Sequence, residues 1–183
     1  LIDRRDIRNI AAAIAIRSTR SCRFRHAISM PAKDATRASS NAGSGISHAL
    51  GHTIGGLYHI HHGAMVLLFL PYELQVYARV TDRHLEICDM LGIRDKSSAE
   101  ESLANLIRKI RGLMADLKLP ISLKDAGVSR NDFEKNLDFI LDQTPTDPAF
   151  YFGWYDLNRE QLKDLFLCAY EGNLLNMHSD VWR

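Results

Sequence analysis

Cysteine is scarce in this chain of 183 residues. There are three, Cys22, Cys88 and Cys168, far apart and odd in number. That excludes a disulfide framework and fits a reducing, cytoplasmic compartment. Long hydrophobic runs are missing as well. The most apolar stretch, residues 64–70, is followed at once by Pro71, Glu73 and Gln75, well short of the roughly 18 residues that span a bilayer. Residues 10–16 follow arginines and mimic a signal peptide, but Arg17, Arg20, Arg23 and Arg25 come straight after them, which a secretory signal would not carry. No membrane partner is expected. Past residue 40 there is no alternating strand pattern of convincing length, and no internal repeat or low-complexity tract anywhere.

What is present is an ordinary globular balance, 46% hydrophobic and 25% charged residues, in a chain the size of one domain. Net charge is +1 but uneven: residues 1–37 hold nine Lys or Arg against three Asp and no Glu. The first 37 residues read as a basic leader of uncertain structure, with one helix possible over residues 7–16, and residues 38–183 as a helical domain. Eight arginines invite nucleic acid, but Phe24 is the leader's one aromatic residue, so it offers no stacking surface. A solvated leader is the preferred reading. A truncated gene, or a stretch read out of frame, would produce such a leader. The chain also begins with Leu rather than Met, as a fragment would.

From Ser40 the sequence predicts one helix after another, an all-α multi-helix domain. The first runs over residues 44–58, with Gly51, Gly55 and Gly56 lowering its propensity, a cost explained by close approach of a helix or ligand. A second covers residues 63–78, where Pro71 predicts a kink or break. A short helix over residues 85–91 is stopped by Gly92. Ser98 with Glu101 is a capping-box signature, opening a helix with Leu103, Leu106, Ile107, Ile110, Leu113, Met114 and Leu117 at helical period, ended by Pro120. Ser129 and Asp132 start the next, with Phe133, Leu137, Ile140 and Leu141 inward. Two prolines break the chain at residues 144–148. Asn158 caps the last helix and Gly172 ends it.

Five of the eight histidines (His48, His52, His59, His61, His62) fall within fifteen residues. On a helix His48 and His52 are at i and i+4 and share a face, and a turn near Ile60 returns His61 or His62 toward it. The pattern is not the His-Glu-x-x-His of zinc proteases, because Ala49 stands where the glutamate would be. Read from the residues alone, the rings are either surface and turn residues or a metal or catalytic cluster.

The segment His48-Ala-Leu-Gly-His52-Thr-Ile-Gly-Gly, then His62-Gly63-Ala, then Phe69-Leu70-Pro71-Tyr72 resembles the C-terminal domain of the iron-containing (group III) alcohol dehydrogenases. That family carries a His-Ala-x-x-His-x-Leu-Gly helix, a Pro-His-Gly turn and a helix with Leu-Pro. The likeness continues through residues 83–93, through Leu119-Pro120 with residues 123–128, and through residues 165–172, covering about residues 38–175. It implies that His48 and His62 bind a divalent metal, Fe2+ with Zn2+ as the other candidate. It also implies that His52 lies beside a nicotinamide ring and relays a proton. Substrates would be small alcohols or aldehydes, and a homo-oligomer is expected.

Two parts of the family pattern are missing. Its other two ligands, in Asp-x-x-x-His spacing, have no counterpart upstream, since Asp3, Asp6 and Asp34 have no histidine four residues on. The glycine-rich phosphate segment is missing too, so NAD(P) would need a nucleotide-binding domain from elsewhere. His61 replaces the usual proline of the turn, and it and His59 read as exposed turn residues. His26, flanked by Arg23 and Arg25, is a poor ligand. The expectation is half of an iron-dependent alcohol dehydrogenase, lacking half of its metal shell. The alternative is an inactive helical oligomerisation module without metal.

Overall fold

Three polar residues open three of the helices. The Ser98, Ser129 and Asn158 side chains accept hydrogen bonds from the backbone N–H groups of Glu101, Asp132 and Gln161, satisfying donors that a helix start leaves free. In the computed structural model, which describes residues 45–151 and 155–183, these caps sit in an all-α domain. The helices are α1 (Ile46–Tyr58), α2 (His62–Tyr77), α3 (Arg83–Leu91), α4 (Ala99–Asp116), α5 (Arg130–Gln143), the single turn α6 (Pro148–Tyr151) and α7 (Arg159–Glu171). Tight 3-10 turns cover Thr144–Thr146 and Asp180–Trp182. No strand occurs among the described residues. The leader, the helix expected over residues 7–16, His26, the boundary expected at residue 38 and Trp154 all lie outside them.

The capping box at Ser98 forms only by half. The Ser98 N–H goes to Asp95 Oδ1 rather than to Glu101, whose carboxylate pairs with Arg108. Asn158 and Gln161 make the full reciprocal box. Pro71 does not interrupt α2, which continues through it to Tyr77.

The apolar run of residues 64–70 is explained by burial. Met65, Leu67, Leu68, Phe69, Tyr72 and Val76 of α2 are all at most 2% exposed, and Ile46, Ala49, Leu50 and Ile54 of α1 are wholly buried. α2 packs on α1, α4 and α7, so it needs no polar face. Among the described residues, no helix is long and apolar enough to cross a membrane. Gly51 lets α1 and α2 approach: a Cβ there would lie 3.1 Å from the Val66 backbone nitrogen. Gly55 similarly leaves room for the Ile60 carbonyl, whereas a Cβ on Gly56 would meet nothing. Farther from this pair, Phe69 meets Phe166 of α7 edge-on at 5.7 Å, and Phe133 of α5 stacks on Tyr170 at 4.7 Å.

Candidate metal centre

The turn after α1 is set by backbone chemistry. His59 takes the left-handed conformation, φ 55°, and the N–H groups of His59 and Ile60 both reach the Gly55 carbonyl. The chain thereby reverses within four residues and starts α2 at His62. His59 and His61 are exposed on this turn, as expected of turn residues.

The reversal gathers three imidazoles. Ring centres lie 5.9 Å apart for His48 and His52, 5.5 Å for His48 and His62, and 4.9 Å for His52 and His62. An imidazole nitrogen sits about 2.1 Å from a divalent ion and ~1.1 Å from its ring centre, so rings sharing one ion have centres within about 6.4 Å. All three pairs meet that limit, so distance alone does not single out the His48–His62 pair. Its Nδ1 on His48 is buried and has no hydrogen-bond partner. Burial, and then the neighbouring His62 and His52 rings, hold His48 below its ordinary pKa of 6.5. Burial, His52 and His61 do the same to His62. Both rings are thus biased to the neutral form that binds metals.

His52 is held differently. Its ring stacks on His62 at 25°, and its Nδ1 lies 2.7 Å from Asp147 Oδ2, in the bend that leads into α6. Asp147 also accepts the N–H of Ala149 at 2.8 Å. Burial raises the Asp147 pKa, but the Ala149 N–H and His52 outweigh it and leave a net lowering. A carboxylate only accepts, so Nδ1 of the neutral ring carries the hydrogen and Nε2 keeps its lone pair. The side chain is 44% exposed.

Asp147 escaped the sequence reading. The stretch Thr144-Pro-Thr-Asp-Pro reads as a break, and nothing in it points 95 residues back to His52. Among the described residues, no set of three or more His, Cys, Asp or Glu side chains closes around a cation. His48 and His62 fit a metal as part of a shell, with further ligands still required. No strand occurs among the described residues, so the strand-to-helix phosphate turn of a dinucleotide-binding domain is not among them.

Comparison with known proteins decides the family. The pattern of the Fe-containing alcohol dehydrogenase family, C-terminal, matches residues 7–170. The chain belongs to that family. The match begins inside the basic leader. The chain is 28% identical over 134 residues to the NADPH-dependent butanol dehydrogenase of Clostridium saccharobutylicum, covering 73% of this chain and 34% of that protein. It is 30% identical over 136 residues to the 1,3-propanediol dehydrogenase of Citrobacter freundii, covering 73% and 35%. It therefore spans about a third of the length of these relatives. The crystal structure of 1,3-propanediol oxidoreductase superposes with a TM-score of 0.73 at 24% identity, over 90% of this chain and 42% of that one. An alcohol dehydrogenase from Oenococcus oeni gives 0.73 at 24%, over 92% and 45%. These two likenesses show a shared fold.

Proposed function

We propose that the chain is the metal-binding part of an iron-dependent alcohol dehydrogenase, acting on a small alcohol or aldehyde with NAD(P) held by sequence outside the described residues. The observation that carries this reading is the His48–His62 pair, two rings biased toward neutrality and close enough to share an ion. The remaining ligands would come from a second copy of the chain in a homo-oligomer or from a separate nucleotide domain. Iron is the metal the family name suggests, and zinc suits the same imidazoles. A divalent ion there supplies Lewis acidity that polarises an alcohol or carbonyl oxygen.

This chain's own residues would do the rest. His48 and His62 donate lone pairs to the ion. His52 Nε2 is free to accept the hydroxyl proton of an alcohol and pass it to solvent, and Asp147 holds that ring and offsets the positive charge it gains. The buried face of α1 and α2 fixes the three side chains relative to one another.

Plasma mass spectrometry on untagged protein, purified anaerobically and offered Fe2+ and Zn2+, tests the reading. The expected result is close to one ion per chain, lost in both His48→Ala and His62→Ala. Metal-free protein, or metal retained by both variants, overturns it. The absence of a closed ligand set among the described residues favours the second reading, a metal-free helical oligomerisation module. A metal-free chain that still self-associates in sedimentation would establish that alternative.

A further inference from the structure

A second site sits at the other end of α2. His62 begins that helix and Arg79 lies just past its end, and sixteen helical residues span about 24 Å. There the start of α3, the start of α4 and the tail after α7 line an open cavity of about 440 Å3, within the range of small-molecule sites. Leu103 and Ile107 of α4 and Leu174 and Met177 of the tail give it apolar walls.

One polar group in this lining is unspent. His84 is 7% exposed, lines the cavity, and its Nε2 is buried with no hydrogen-bond partner. Such a nitrogen is costly to leave unpaired, and a turn of the ring is needed to bring it to the cavity, because it is covered as it stands. Gln75 cannot serve it. The Gln75 amide donates to the Leu175 carbonyl at 3.0 Å and accepts from the Leu175 N–H at 3.0 Å, which fixes the tail as a wall. Glu100 and His178 lie 3.6 Å apart and are both 82% exposed, so they belong to the rim. Charged lining groups are Arg79 against Asp82 and Glu100. That balance disfavours an anion.

We propose that this cavity binds a small uncharged molecule with an apolar body and one hydroxyl group, which hydrogen-bonds to His84 Nε2. The body fills the space between Leu103, Ile107, Leu174 and Met177. The hydroxyl suits the ring in either tautomer, because it can donate or accept. The site stands apart from the candidate metal centre and does not depend on it.

Methyl NMR on the full chain, titrated with benzyl alcohol and with toluene, tests the proposal. Saturable shifts are expected at the methyls of Leu103, Leu174 and Met177, with the alcohol bound about fivefold more tightly than toluene, the worth of one hydrogen bond. His84→Phe should bind both probes with equal affinity. Ala104→Trp, which fills the cavity from α4, should bind neither while keeping the wild-type helical signal. The proposal is overturned if the shifts do not saturate. It is equally overturned if the preference for the alcohol survives in His84→Phe.

Discussion

The ring of His52 and the carboxylate of Asp147 meet at 2.7 Å across 95 residues of chain, joining α1 to the bend before α6. The contact fixes which imidazole nitrogen bears the hydrogen, and it anchors the bend to the helix that carries His48. The neighbouring Thr144 hydroxyl lies 3.2 Å from the Thr53 hydroxyl, a second tie between the same two elements.

Replacing Asp147 by Ala should free that ring. Long-range 1H–15N spectra at pH 8 are expected to show a protonated Nδ1 on His52 in the wild type and a mixture of tautomers in the variant. Asp147 also accepts the Ala149 N–H, so the variant should lose about 1 kcal/mol, a fall of roughly 2–4 °C in Tm. A wild-type ring that already exchanges between tautomers would contradict the pairing.

Glu73 makes stability depend on pH. It is 8% exposed, and burial pushes its carboxyl above 4.5, against the opposing pull of Ser47 and Tyr77. The folded state therefore keeps its proton at pH values where the unfolded chain has released it. Stability is fully present below about 4.5 and falls as pH rises through the raised value. Glu73→Gln can retain an acceptor for the Ser47 N–H but cannot ionise. Urea midpoints should thus move in the variant's favour between pH 4 and pH 7. A constant difference across that range would refute the assignment.

Gly45 precedes α1 with φ −81°, a conformation open to any residue. A Cβ at this position would nonetheless lie 1.8 Å from Glu73 Oε1. Gly45→Ala should cost about 1–3 kcal/mol by overpacking. The loss should shrink when Glu73 is also Ala, since the two positions share one contact. Equal losses in both backgrounds, measured by denaturant unfolding, would place the cost elsewhere.

The helix starts at Ser98, Ser129 and Asn158 and the stops at Gly92 and Gly172 were readable in the sequence, because capping acts within three or four residues. The second helix was readable over residues 63–78 as well, but a kink or break was the expectation at Pro71, and the helix runs on through that residue, with burial on several sides holding it. The Asp180–Trp182 turn also escaped. Trp182 is wholly buried and its Nε1 donates to Asp164 at 2.7 Å, a contact with no local signature.

The candidate site divides along the same line. Sequence by itself determined the helical class, the helix termini and the pairing of His48 with His52 on one face, because these follow from periodicity and capping over a few residues. The tertiary structure decided that the ring centres of all three histidines gather within 5.9 Å, that Asp147 holds His52, and that His84 Nε2 is left unpaired. Those relationships arise where helices distant in sequence pack together, and no local preference specifies which side chains then meet.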